Sequence, residues 1–101
     1  MRLAEIIDIQ RNYTYKAFGQ GENTARILNH IMDEVAEVSA VNGKDVFEWC
    51  DIIILALDGA IRQGFSNDKI CTAVVNKMLI NQERSWPDPS TLAEDQPINH
   101  I

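Results

Sequence analysis

Cysteine is nearly absent from this chain. Cys50 and Cys71 stand apart in apolar contexts, form no C-x-x-C pair and frame no disulfide scaffold, so both read as reduced core residues. Long hydrophobic runs are lacking as well. The longest, Ile52 to Leu57, is bounded by Asp51 and Asp58 and falls far short of the ~18 to 20 residues of a membrane span. At the N-terminus, Glu5 and Asp8 arrive before any apolar segment develops, which removes a secretory pattern and sets the expectation of a cytoplasmic protein with no membrane partner. Positive charge is the third scarcity. The formal net charge is -6, whereas binding to a nucleic-acid backbone rests on a surplus of Lys and Arg, so no nucleic acid polymer is expected as partner. A small polyphosphate stays open, because bound cations reverse the local sign.

Several chemistries drop out with their motifs. No G-x-x-x-x-G-K-[ST] phosphate loop occurs, no E-x-x-H repeat of the di-iron kind, and no Cys and His cluster of the structural zinc kind. No strand pattern with turn chemistry and no internal repeat is present either.

What is present is helical periodicity. Leu3, Ile6, Ile7, Ile9, Tyr13 and Ala17 mark a first helix, which the glycines of Phe18-Gly19-Gln20-Gly21-Glu22 end. Asn23 or Thr24 is suited to cap a second helix through about Ala40, with Ile27, Leu28, Ile31, Val35 and Val38 on its inner side. Gly43 is suited to stop it, and Asp45 to cap a third helix that is apolar nearly all round to about Gln63 and therefore central. Gly64 closes the third helix, Ser66 caps a fourth, and Ser85-Trp86-Pro87-Asp88-Pro89 stops that one. The expected fold is all-α, a four-helix up-down bundle over residues 1–86, with 87–101 an extended or mobile tail. With 101 residues the core is modest, and completion by homo-oligomerisation is expected.

The informative feature is a pair of acidic pairs. Glu34 and Glu37 lie three residues apart in the second helix, Glu48 and Asp51 three apart in the third, so each pair occupies one side of its helix. If the two helices run antiparallel about the Asn42-Gly43 turn, Glu37 faces Glu48 and Glu34 faces Asp51. At ~1.5 Å rise per residue the two levels are about 4 to 5 Å apart. Four such charges repel one another unless a cation meets them, and an all-oxygen donor set suits Mg²⁺ or Mn²⁺. The same matching across the next turn brings Asn81 to the height of Glu48. Lys77, Asn81 and Arg84 form one stripe, able to present two cations and an amide to a phosphate chain.

At these residues the chain resembles the MazG-like all-α nucleoside triphosphate pyrophosphohydrolase superfamily, whose pattern is E-x-x-E on one helix and E-x-x-D on the next. Phe18-Gly19-Gln20-Gly21, His30-Ile31, the run from Glu48 to Gly59, and the run from Asn81 to Asp88 further resemble its dATP/dGTP diphosphohydrolase-like branch. The resemblance implies Mg²⁺-dependent cleavage of a (deoxy)nucleoside triphosphate to the monophosphate and pyrophosphate, in homodimers or homotetramers. It also implies Glu34, Glu37, Glu48 and Asp51 as metal ligands and Lys77, Asn81 and Arg84 as phosphate contacts. The chain departs from the branch at Gln20, Asn23 and Arg26, where a proline, a basic residue and a small residue are expected.

Plainer readings compete. Glu48 stands at the N3 position of a capping box begun by Asp45. Glu34 and Glu37 also fit a solvated face, Lys77 and Arg84 another, and Asp58, on the same stripe as Asp51, fits either an extension of the site or a surface pair with Arg62. His30, one turn before Glu34, fits either a group that orients a ligand or a histidine hydrogen-bonded at a helix interface. Trp49 fits core packing, while Trp86 is the better candidate to stack on a base and equally fits an anchor for the helix end. The enzymatic expectation has one carboxylate of the second helix, Glu34 or Glu37, taking a proton from water. Two alternatives stand beside it: a non-catalytic helical interaction module with an acidic face or regulatory metal site, and a related enzyme acting on a phosphoribosylated nucleotide.

Overall fold

In a computed structural model describing residues 1–101, the chain is all-α. Its long helices are α1 (Leu3–Phe18), α2 (Thr24–Ala40), α3 (Val46–Arg62) and α4 (Asn67–Glu83), with no strand. Four helices joined by short turns agree with the bundle expected from periodicity. The chain divides into two compact units, Met1–Cys71 and Thr72–Ile101, with the division falling inside the α4 sequence.

In the first unit α3 packs against both α2 and α1, as its near-continuous apolar character requires. The core is small: Ile7 of α1, Ile61 of α3 and Ile70 from the first turn of α4 are buried together, with Leu3, Tyr15 and Leu57 packed against them. Each buried isoleucine contributes roughly 1.5–3 kcal/mol. Ile27 and Val38 of α2 are buried too, but Leu28 and Val35, expected on the same inner side, are more than half exposed, as are Ile9 and Tyr13 of α1. A helix buries only the strip that faces its neighbours. The apolar stripes of α1 and α2 are wider than those strips.

The turn between α2 and α3 is closed by specific bonds. Asn42 and Gly43 both adopt left-handed backbone angles (φ 54 and 69), and their N–H groups donate to Ser39 O and Val38 O at 3.0 and 2.9 Å. Two carbonyls left over at the end of α2 are thereby satisfied, with Asn42 sharing the stop that the sequence assigned to Gly43. Trp49 does not fill the core. Its indole N–H donates to Gly43 O at 2.9 Å and its ring lies over Gly43, where an added Cβ would stand 3.3 Å from Cζ2. Asp45 caps α3 by accepting from Phe47 N at 2.9 Å, and Ser66 caps α4 by accepting from Lys69 N at 3.1 Å.

The start of α2 differs from expectation. Asn23 is left-handed (φ 52) and makes no side-chain cap, while Thr24 Oγ1 accepts from Gln63 Nε2 at 3.0 Å. Asp58 and Arg62 are likewise no surface pair: their side chains are 7% and 1% exposed and meet at 3.1 Å. At the other end of the first unit, Arg11 of α1 binds Asn67 Oδ1 and Phe65 O, tying α1 to the α3–α4 turn.

In the second unit, Asp88 caps a 3₁₀ turn at Pro89–Thr91. The Ile101 N–H donates to Ser85 O at 2.8 Å, and the His100 ring meets Trp86 edge-on at 6.0 Å.

Candidate functional site

The closed α2–α3 turn sets the register of two helices, and the register brings four carboxylates together. Glu34 and Glu37 of α2 and Glu48 and Asp51 of α3 each offer an oxygen within 4.8 Å of the others. The cluster has a sheltered floor and an open rim. Glu34, its side chain 12% exposed, and Glu48 form the floor, whereas Glu37 and Asp51 are exposed.

The floor is unsatisfied. Glu34 Oε2 and Glu48 Oε2 are both buried with no hydrogen-bond partner. The other oxygen of Glu34 has one, His30 Nε2 at 3.1 Å, one helical turn earlier. Glu48 does not complete a capping box. Its Oε2 lies unpartnered in the cluster, and the Asp45 side chain bonds Phe47 N rather than the N–H of Glu48. A solvated acidic face does not bury acceptors in this way, because a buried oxygen without a donor loses its water and gains nothing.

Charge crowding shows in the carboxyl groups themselves. Partial removal from water raises the pKa of Glu34, the charges of Glu37 and Asp51 and a hydrogen bond with Glu37 raise it further, and His30 opposes the rise. Glu48 is raised for the same leading reason, then by a hydrogen bond with Glu37 and by the charges of Glu37, Asp45 and Asp51. Both floor carboxylates thus feel the charges of Glu37 and Asp51. Convergent oxygens, two without donors, and no nitrogen or sulfur in the set suit a hard divalent cation held by Glu34, Glu37, Glu48 and Asp51.

A family model described as dATP/dGTP pyrophosphohydrolase matches residues 6–101. The chain belongs to the dATP/dGTP pyrophosphohydrolase family. Among curated relatives, the Eaa protein of Salmonella phage P22 is 35% identical over 63 residues, which is 62% of this chain and 19% of that protein. The dATP/dGTP diphosphohydrolase of Salmonella phage PMBT28 is 43% identical over 53 residues, 52% of this chain and 17% of that protein. The chain thus spans about a fifth of the length of the curated relatives it matches. No solved structure matches it. This membership agrees with the branch resemblance carried by Phe18–Gly21, His30–Ile31 and the runs that begin at Glu48 and Asn81.

The residues expected on the substrate side lie in the second unit. Arg84 Nη1 donates to Asn81 Oδ1 at 3.3 Å, and the Trp86 indole N–H donates to Asn81 O at 2.8 Å, so Asn81 links the three at the end of α4. Lys77 stands one turn before Asn81 on the same helix. In the first unit His30 bonds Glu34, as its place one turn earlier allows, and Asp58, to which the sequence reading gave no role, is buried with Arg62. The signal for that burial was available, since Arg62 and Asp58 sit in the most apolar helix of the chain. No helix is long and apolar enough to cross a membrane.

Proposed function

We propose that the chain is a divalent-cation-dependent nucleoside triphosphate pyrophosphohydrolase, cleaving a (deoxy)nucleoside triphosphate to the monophosphate and pyrophosphate, with dATP and dGTP favoured. The observation that carries this reading is the convergence of four carboxylates with two unpartnered buried oxygens, in a chain of this family. The purine preference is supported by the family description and by the name of the phage PMBT28 relative.

Glu34, Glu37, Glu48 and Asp51 hold the cation, Mg²⁺ by preference and Mn²⁺ as substitute. Bound there, it supplies charge neutralisation at phosphate oxygens and electrophilic activation. A carboxylate of α2, Glu34 or Glu37, accepts a proton from water as the water oxygen bonds to the α-phosphorus. The α–β anhydride bond breaks and pyrophosphate leaves with the electron pair. His30, bonded to Glu34, fixes the orientation of that carboxylate. Lys77, Asn81, Arg84 and Trp86 are substrate contacts in this reading, with Lys77 and Arg84 offsetting charge on the departing pyrophosphate.

The active species is a homodimer or homotetramer in the cytoplasm, with neither nucleic acid polymer nor membrane as partner. Support for assembly comes from apolar surface. Leu28, Met32 and Val35 form an exposed stripe on α2, beside an open groove of about 580 Å³ lined by Ile27, Ile31, Leu55 and Ala60 among others. Sedimentation velocity on the purified chain tests it, and a monomer at all concentrations contradicts it.

For the activity, purified protein is incubated with each deoxynucleoside triphosphate and Mg²⁺, and pyrophosphate is measured. Release from dATP and dGTP is expected, with loss in Glu37→Ala and Asp51→Ala at retained helicity. Alanine variants as active as wild type contradict the site.

A further inference from the structure

Arg62 is an expensive residue to bury, and this chain buries it with every donor engaged. Its Nε donates to Asp58 Oδ2 at 3.1 Å. Its Nη1 donates to Gly19 O at 3.0 Å and Gly21 O at 2.8 Å, and its Nη2 to Thr14 O at 3.2 Å and Thr14 Oγ1 at 2.9 Å. A guanidinium has five N–H donors, and these five bonds use all of them. Below, the guanidinium carbon stands 5.0 Å from the centre of the Tyr15 ring, and Gln10 Nε2 donates to the other Asp58 oxygen at 3.4 Å.

Three of the five acceptors are backbone carbonyls, and two of those belong to the α1–α2 loop. A buried ion pair adds little net stability over a well-packed apolar pair, so stability alone gives no reason to aim a guanidinium at loop carbonyls. What the bonds specify is loop shape. Gly19 (φ 76, ψ -173) and Gly21 (φ 101) take backbone angles that side chains avoid, and in those angles both carbonyls turn inward onto Arg62.

That loop borders a small cleft. Phe18 at the end of α1 and Asn23 just before α2, which flank the loop, surround it with Arg26 and His30 from α2 and Leu55 from α3, and Asp58 and Arg62 are also in its lining. His30 is the shared wall between the cleft and the acidic cluster, since its ring lines the one and bonds Glu34 of the other. A triphosphate held at the four carboxylates has its nucleoside attached at the α-phosphate, one phosphoester bond away. The neighbouring cleft is where that end of the molecule finds walls. With all five donors of Arg62 committed to the protein, the guanidinium offers the ligand no hydrogen bond of its own; it acts through the loop.

Resting on the reading above, we propose that Arg62 is a positioning residue for the nucleoside end of the substrate, holding the Gly19–Gly21 loop in the shape that completes the cleft beside His30. Two variants disturb the loop by different routes. Arg62→Lys keeps a positive charge beside Asp58 but cannot span Thr14 and both glycine carbonyls. Gly19→Ala leaves the Arg62–Asp58 pair intact and meets no atom within 4 Å, so its only effect is to disfavour the native loop angles.

The experiment measures kcat and KM for dATP, the inhibition constant of inorganic tripolyphosphate, and Mn²⁺ affinity by calorimetry, for wild type and both variants. The expected result is a KM for dATP raised about tenfold, as for one or two lost positioning hydrogen bonds. The kcat, tripolyphosphate inhibition and Mn²⁺ affinity stay near wild type. If Arg62→Lys does not fold, Gly19→Ala alone decides. An unchanged KM in a folded variant overturns the proposal, as does a tripolyphosphate inhibition or Mn²⁺ affinity weakened in step with KM, because either result means a general structural role. Failure of the hydrolase reading is distinguishable: wild type then releases no pyrophosphate from any nucleotide, and the proposal falls with it.

Discussion

Glu34 on α2 and Glu48 on α3 each bury one carboxylate oxygen, Oε2, that no donor meets, and the charges of Glu37 and Asp51 crowd both. In the absence of a cation this arrangement opposes folding. Replacing one floor carboxylate by its amide, in Glu34→Gln or Glu48→Gln, is therefore expected to raise the melting temperature of metal-free protein while removing the gain that divalent cation confers. For wild type, cation at about a hundred times its dissociation constant adds roughly 2.7 kcal/mol. Thermal melts with and without Mg²⁺ check both halves.

The same two groups set a pH dependence. Their pKa values are raised in the folded state, so between the ordinary Glu value near ~4.3 and the raised folded value the folded chain binds more protons than the unfolded one. Their contribution to stability is then present at low pH and is lost as pH rises through that interval, opposite to a salt-bridged carboxylate. Cation binding needs the deprotonated forms, so affinity rises over the same interval. Melting temperatures of metal-free protein, and Mn²⁺ titrations, both across pH 4 to 7, are expected to move in opposite directions.

The turn that sets the register is expected to be sensitive at a position far from any charge. Gly43→Ala forces a side chain into a left-handed conformation and against Trp49, at a cost of about 1–3 kcal/mol. Because the turn holds the two acidic pairs level, Mn²⁺ affinity should weaken along with stability. Asp45→Ala, which removes only the cap on Phe47 N, should cost about 0.5–2 kcal/mol and affect the cation less. Urea unfolding and calorimetry on both variants make the comparison.

Asp58→Ala leaves Arg62 buried beside Thr14 and the loop carbonyls without its counter-charge, and a loss of about 3–5 kcal/mol is expected. The double variant Asp58→Leu with Arg62→Met removes both charges and should recover a substantial part of that loss. Equal destabilisation of the single and double variants in denaturant melts contradicts a buried ion pair.

The helices and the acidic quartet were legible because both follow from local spacing. Apolar residues at the helical period placed α1 to α4 within a residue or two of where they lie, and two E-x-x-[DE] pairs flanking one turn can only meet if the helices fold back on each other. The bundle face was harder to read. Leu28 and Val35 lie on the apolar stripe of α2 as clearly as Ile27 does, and only the position of α3 decides which of them is covered. Trp49 fits core packing in the sequence, but it follows Glu48 directly and reaches back to the turn. The Arg62 hub was hidden for a different reason. Its partners Thr14, Gly19 and Gly21 are distant in sequence and contribute mostly backbone oxygens, which leave no residue-type signature.

The central claim is that Glu34, Glu37, Glu48 and Asp51 jointly hold one kind of hard divalent cation. Titration of the protein with Mn²⁺, followed by the loss of the free-ion electron paramagnetic resonance signal, tests it without recourse to activity. Saturable binding to wild type, displaced by excess Mg²⁺ and abolished in both Glu37→Ala and Asp51→Ala at unchanged helicity, is the expected result. A wild-type titration indistinguishable from the two variants would contradict it.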